Sequence, residues 1–231
     1  FFTISDTKKQ GGGMNSYQRQ QQVLGILQKS GVFLTGHFVL TSGRHSVIYM
    51  YKQMLDEETA LRLCRLIVVK FIDHDIEVVV GPAEGGRRLA KYAAQHLSEL
   101  EEREIPWLCA EKGSESGTFS IDRRHIAMVR GKHVFVIDDT GTTGSSVRGV
   151  VELVQKHGGH VTGVGLICNR GGLTEQDVGD VPRLVALVGV PFESWEEDKC
   201  PLCIEGIIPV DPNIGKGAEY LVRKQQESCN S

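Results

Sequence analysis

The run His133-Val-Phe-Val-Ile-Asp-Asp-Thr-Gly-Thr-Thr-Gly-Ser-Ser146 gathers the residue types best suited to chemistry in this chain. A short apolar stretch, Val134 to Ile137, has the composition of a buried parallel strand. It ends in two acids, Asp138 and Asp139. Open α/β sheets bind ligands at the carboxyl ends of their strands, which places both acids at a binding edge. Neighbouring strand residues face opposite ways, so both acids can serve one ligand only if the chain turns there. Thr140 and Gly141 open that turn. Thr142, Thr143, Gly144, Ser145 and Ser146 then supply hydroxyls, free amides and a helix N-terminus, which together make a phosphate cradle. Acids for ribose hydroxyls beside a nest for a 5′-phosphate suit a sugar phosphate. Other phosphate motifs fit less well. No Lys follows Gly144 as a Walker loop requires, and Gly163-Val-Gly165 runs into apolar strand residues, so that pair is read as packing.

The elements that must position these residues alternate. Ser16 to Lys29 form an amphipathic helix ended by Gly31. Phe33 to Ser46 read as a hairpin or hood broken at Ser42-Gly43, with a second strand from Val47 to Tyr51. Asp56 caps a helix running to Asp73. Strands follow at Ile76 to Val80, Trp107 to Ala110, Val134 to Ile137, Val161 to Cys168 and Leu184 to Val188. Helices run between the first two, to about Glu104, and from Ser145 to His157. Such alternation predicts an α/β fold with a central, mostly parallel sheet flanked by helices. The expected divisions are a leader or tag remnant over 1–14, an N-terminal helix and hood over 15–55, the α/β core over 56–190 and an extension over 191–231. Gly113 to His125 interrupt the pattern with a long polar segment, read as a lid.

The acid run resembles the phosphoribosyl-pyrophosphate (PRPP) signature of type I phosphoribosyltransferases, a strand followed by D-D-x-x-T-T-G-x-S. Further segments resemble one family among them, the orotate phosphoribosyltransferases. These are Phe38-Val-Leu-Thr-Ser-Gly-Arg-His-Ser46, Gly81-Pro-Ala-x-x-Gly86, Ala110-Glu-Lys112 and Cys168-Asn-Arg170. The resemblance spans about Leu24 to Pro209. It implies the type I fold with a small N-terminal hood, and transfer of a phosphoribosyl group from PRPP to orotate, forming orotidine 5′-monophosphate. Mg²⁺ is the implied cofactor and a homodimer the implied assembly.

Carried over residue by residue, Asp138 and Asp139 hold the ribose hydroxyls, and Lys112 leans on the pyrophosphate. The amides of Ala83, Glu84, Gly85 and Gly86 bind pyrophosphate too. Arg170 gives the orotate carboxylate a bidentate fork, with Thr142 beside the base. Arg44, Arg87, Arg123 and Arg124 complete the positive charge that two anionic substrates require. The chain departs from the family in its lid. Lys112 precedes Gly-Ser-Glu-Ser-Gly where relatives carry K-x-x-K-x-H-G, and Thr41 replaces a common Lys. Arg123, Arg124 and His125 are the candidates to replace the missing groups. Two other readings keep the fold: a transferase for a different base, and a non-enzymatic PRPP-binding regulator.

A formal net charge of −3 over 231 residues argues against a general nucleic-acid grip, and no apolar run reaches membrane-spanning length. Residues 1–13 lack the apolar core of a signal peptide, so a cytoplasmic protein is expected. Cys64, Cys109 and Cys168 are expected as reduced core residues. Cys200-Pro-Leu-Cys203 has a metal-knuckle spacing, and the tail resembles one in a short bacterial branch. Zinc needs four ligands, however, and no second pair stands at a matching spacing. No residue is therefore assigned to metal, and His37, His45, His74, His96, His133, His157 and His160 are read as packing or surface residues.

Overall fold

The computed structural model describes residues 16–40, 42–50, 55–83, 85–113, 118–189, 193–209 and 211–229. Helix α1 (Ser16–Lys29) leads into the hairpin β1 (Phe33–Val39) and β2 (His45–Met50). The alternating unit follows: α2 (Glu57–Val68), β3 (Val78–Pro82), α3 (Gly85–Glu101), β4 (Trp107–Lys112), β5 (Phe119–Ser120), β6 (His133–Gly141), α4 (Ser145–Lys156), β7 (His160–Asn169) and β8 (Leu184–Gly189). Strand β9 (Ser194–Trp195) and helices α5 (Pro201–Ile204) and α6 (Gly217–Cys229) close the chain.

Six strands form the main sheet in the order β5-β4-β3-β6-β7-β8. All neighbours pair in parallel except β5, which runs antiparallel to β4. Apolar residues cover both faces, as a parallel sheet with crossover helices requires. Phe135, Ile137 and Val79 face the core beneath α1, α2 and α3, while Val134, Val136, Val78 and Val80 face the core beneath α4. Alternation along a single strand thus feeds two cores. Cys64 and Cys168 are buried among these residues, and burial pushes each thiol up to about 12, so both are inert.

The expected α/β architecture is present, with differences at the element ends. Asp56 caps α2 as predicted, its Oδ1 accepting from the Thr59 amide at 2.7 Å. The helix stops at Val68 rather than Asp73. The amides of Lys70 and Phe71 donate to carbonyls three residues back, tightening the last turn so that Phe71 can enter the core. The first core strand begins at Val78 and runs through Pro82, later than the apolar run suggested. Strand β9 pairs with β2, so part of the C-terminal extension completes a three-stranded hood, β1-β2-β9. Among the described residues, no helix is long and apolar enough to cross a membrane.

Gly163 and Gly165 are packing glycines, as expected. A Cβ on Gly165 would lie 2.6 Å from Ile67 Cγ2 and 2.7 Å from the Phe135 ring. A rigid ring beneath a central strand leaves little room to relax. Gly165→Ala is expected to destabilise the fold by about 1–3 kcal/mol, read as a lower urea midpoint with an unchanged denaturant slope.

Candidate functional site

The site lies at the carboxyl ends of β3, β4, β6 and β7. Strand β6 does not turn at the acids as expected. It continues to Gly141, with Thr140 opposite Cys168 and Gly141 opposite Asn169 on β7. Asp138 and Asp139 nevertheless line the same cavity, of about 410 Å³. The Asp139 amide donates to Asp138 Oδ1 at 2.8 Å, folding the first carboxylate back along its own backbone. Both acids are buried, at 6% and 3% exposure. A local hydrogen bond achieves what a turn was expected to do.

The glycine-rich turn after β3 faces them. A Cβ on Gly85 would overlap Asp139 Oδ2, and would lie 2.9 Å from Asp139 Cγ and 3.1 Å from Asp138 Oδ1. Only glycine permits this approach. Gly86 is packed between the Pro82 ring and the Ile137 carbonyl. Ala83 and Gly85 line the cavity with Lys112 from the end of β4 and Ser146 from α4. Glu84 lies outside the described residues, as do Thr41 and residues 1–14.

A second cavity, of about 400 Å³, is lined by Leu40, Ser42, Tyr49, Met50, Thr140, Thr142 and Arg170. Met50 lines both cavities, and the Thr140 hydroxyl donates to its sulfur at 2.8 Å. The hood therefore contributes the partition between two adjoining spaces. Arg170 follows β7, and its amide donates to the Gly141 carbonyl at 2.8 Å. Burial pulls its guanidinium below the ordinary value, yet arginine keeps its charge at any physiological pH. A desolvated cation of this kind attracts an anionic group strongly.

Helix α4 begins as the motif implied. Gly144 is its N-cap at φ 76°, and Thr142, Thr143, Ser145 and Ser146 are exposed around the first turn. Thr143 Oγ1 and Ser145 Oγ are hydrogen-bonded at 3.0 Å. Gly141 is buried against Leu166 and Leu173 beneath this turn.

Four of the proposed cations stand apart from both cavities. Arg44 ties β2 to β9, donating to Ser194 Oγ at 2.9 Å and pairing with Glu196. Arg87 pairs with Glu111 at 2.7 Å on the surface. Arg123 and Arg124 lie on a 3-10 helix, Arg123–Met128, where Arg124 forks onto Asp122. Part of that segment is regular: β5 pairs antiparallel with β4, Lys112 opposite Phe119. Residues 114–117 lie outside the described ones. Arg88, which the sequence reading did not choose, lines the acid cavity and donates to the Leu55 carbonyl at 3.0 Å. Two consecutive arginines on a helix point about 100° apart, so only the helix's rotation decides between them.

The sequence comparisons agree with this geometry. Residues 50–198 match the family model described as "Phosphoribosyl transferase domain". An orotate phosphoribosyltransferase from Thermoanaerobacter sp. (strain X514) is 36% identical over 207 residues, covering 85% of this chain and 98% of the relative. The chain belongs to the orotate phosphoribosyltransferase family. A second relative of that name, from Pelotomaculum thermopropionicum, is 36% identical over 200 residues, covering 85% of this chain and 98% of its own. The crystal structure of orotate phosphoribosyltransferase from Aeropyrum pernix superposes with a TM-score of 0.57 at 28% identity, covering 72% of this chain and 93% of that one. The type I phosphoribosyltransferase fold that the resemblance implied is thereby established, with the acid pair at the sheet edge.

Gly144 meets two constraints that other members of the turn do not. Its φ is left-handed, and a Cβ would lie 2.8 Å from the Asp177 carbonyl oxygen. Gly144→Ala is expected to cost roughly 1–3 kcal/mol, measured as a fall in the free energy of urea unfolding.

Proposed function

We propose that this orotate phosphoribosyltransferase-family protein transfers the 5-phosphoribosyl group of PRPP to orotate, releasing pyrophosphate. The observation that carries the proposal is the pair of adjoining cavities that meet at Met50. One holds the acid pair, Lys112 and Ser146, and the other holds the half-buried Arg170.

PRPP occupies the first cavity, with its 5′-phosphate on the amides and hydroxyls at the start of α4. Asp138 and Asp139 hold the ribose hydroxyls. Lys112, Arg88 and the turn of Ala83 and Gly85 face the pyrophosphate. Orotate occupies the second cavity, with its carboxylate on Arg170 and its ring beside Thr140, Thr142 and Tyr49. Thr140 and Met50 then stand between base and sugar, where the new bond forms. N1 of orotate attacks ribose C1 as the C1–oxygen bond breaks, and that bond's electron pair leaves with pyrophosphate. Orotate reacts as its N1 anion, so no strong base is needed. The buried carboxylates favour the positive charge that develops on the ribose in the transition state.

Hard carboxylate oxygens at the cavity fit Mg²⁺. Among the described residues, the grouping of three or more candidate metal ligands lies elsewhere, so the acid pair fits an ion carried in by substrate and water. Asp138 and Asp139 are the residues that would hold it, and Mg²⁺ would supply neutralisation of pyrophosphate charge. A homodimer, in which the segment after Lys112 closes over a neighbouring site, belongs to the same proposal, as does a cytoplasmic setting.

Loss of orotate absorbance with PRPP and Mg²⁺ tests the reading, with adenine, hypoxanthine and uracil in parallel. Orotate alone should turn over, and Arg170→Ala should lower kcat/KM for orotate by about 10–100-fold, as loss of a charge-assisted fork implies. Turnover of adenine or hypoxanthine, or an unaffected Arg170→Ala, would refute the assignment of the base. The placement of the two arginines makes a further prediction. Arg88→Ala should raise the KM for PRPP by about tenfold or more, consistent with a lost charged contact, while Arg87→Ala changes it little. The reverse order would show that α3 is rotated differently in the working enzyme.

A further inference from the structure

The cysteine pair that lacked partners in the sequence has them in the fold. His37 on β1, His45 on β2, and Cys200 and Cys203 at the start of α5 converge in the hood, with all four ligand atoms within 4.8 Å of one another. Cys203 Sγ lies 3.2 Å from His45 Nδ1 and 3.7 Å from His37 Nε2. Cys200 Sγ lies 3.7 Å from His37 Nε2, and the two ring nitrogens are 2.8 Å apart. A tetrahedral zinc ion with bonds of about 2.0–2.3 Å has ligand–ligand edges of about 3.3–3.8 Å. The observed edges scatter about that range. His37 and His45 are buried, as the packing reading allowed, and their ring nitrogens face the two sulfurs.

We propose that this cluster is a structural zinc site of the Cys₂His₂ class. Three features of the surroundings support it. His37, His45 and Cys200 are each at most 1% exposed, and buried polar groups in an apolar setting are costly unless satisfied. His37 Nδ1 lies 2.6 Å from the Ile207 carbonyl oxygen, which can only accept, so Nδ1 carries the proton and the Nε2 lone pair faces the cluster. Metal-bound histidines are oriented in this way by a second hydrogen bond. The Tyr220 hydroxyl from α6 is 3.5 Å from Cys203 Sγ, within reach to donate to a thiolate there.

Sequence and fold each supply half of the set. Cys200-Pro-Leu-Cys203 places both sulfurs on one helical turn, with Pro201 at its first position. His37 reaches it through a register irregularity in β1, between Thr35 and Phe38, while His45 stands in register on β2. A bulge re-aims a side chain, and here His37 and Phe38 are both buried.

The donors select the ion. Two thiolates and two imidazoles suit zinc, whereas Mg²⁺ and Ca²⁺ take oxygen ligands. Binding releases the two thiol protons to solvent, and the two thiolates then balance the dication, leaving a neutral buried centre. The ion joins residues more than 150 positions apart in sequence. It fastens the C-terminal segment to the hairpin that carries Leu40, Ser42, Tyr49 and Met50 of the second cavity. Its role is to hold the hood. It lies outside both substrate cavities and takes no part in group transfer.

The test uses the full chain, free of any polyhistidine tag and grown with added zinc. Elemental analysis should find one zinc per chain, falling below about a tenth in Cys200→Ser and in Cys203→Ser. Because those variants can fail to fold, the second measurement uses the unaltered protein. After zinc removal by a chelator under reducing conditions, cobalt(II) should give thiolate charge-transfer and intense tetrahedral d–d bands that saturate at one equivalent and vanish on adding zinc. Thermal stability should fall on zinc removal and return with one equivalent. Substoichiometric zinc together with no saturable cobalt spectrum would overturn the proposal. So would a Cys200–Cys203 disulfide in the protein as isolated under reducing conditions. Zinc content is read independently of base specificity, so failure of this proposal and failure of the orotate assignment are distinguishable.

Discussion

The active site depends on burying two adjacent carboxylates at the open end of β6. Charges so placed are costly unless hydrogen bonds and substrate or cation offset them. The chain meets that demand by close packing rather than by a special turn. The Asp139 amide holds Asp138, and the Gly85 backbone presses against both acids at a distance no side chain would allow. Strand β6 sits between β3 and β7, so the turns after these three strands open toward the same space. The positions of the α4 start, the glycine turn and Arg170 around this space follow from that one placement.

The hood decides how this space is divided. A bare sheet edge would offer one open groove. Met50 at the end of β2, held by the Thr140 hydroxyl, turns it into two chambers of similar size. The chamber that holds Arg170 has one wall on the core and one on the hood, so its geometry is only as firm as the hood. That explains why so much long-range structure converges there. Strand β9 pairs with β2, Arg44 binds across to Ser194 and Glu196, and the histidine–cysteine cluster joins both ends of the chain.

Much of the catalytic face was legible because its signals are local. A β-strand, two acids, a glycine N-cap and hydroxyl residues occupy one continuous stretch, and their spacing specifies strand, nest and helix together. Gly163 and Gly165 could be read as packing because they interrupt an otherwise apolar strand. Arg170 was singled out by the family resemblance, and the structure places it directly after β7 on the wall of the second cavity. Arg87 and Arg88 show where such reading stops. Both follow the same glycine turn, and the helix's rotation puts Arg88 at the cavity and Arg87 against Glu111. The short strand β5 in the polar segment after Lys112 was not legible, because it is two residues long and depends on pairing with β4 and on packing of Phe119 against the core.

The sequence by itself determined the fold class and the strand, acid pair and glycine-capped helix start of one continuous stretch, since backbone preferences and side-chain order act over a few residues. Tertiary structure decided which cations reach the cavities, where the hood partitions them, and that Cys200 and Cys203 meet His37 and His45. Those outcomes rest on helix rotation, a strand irregularity and pairing between β2 and β9. Contacts of that range are set by how whole elements pack, and no spacing along the chain records them.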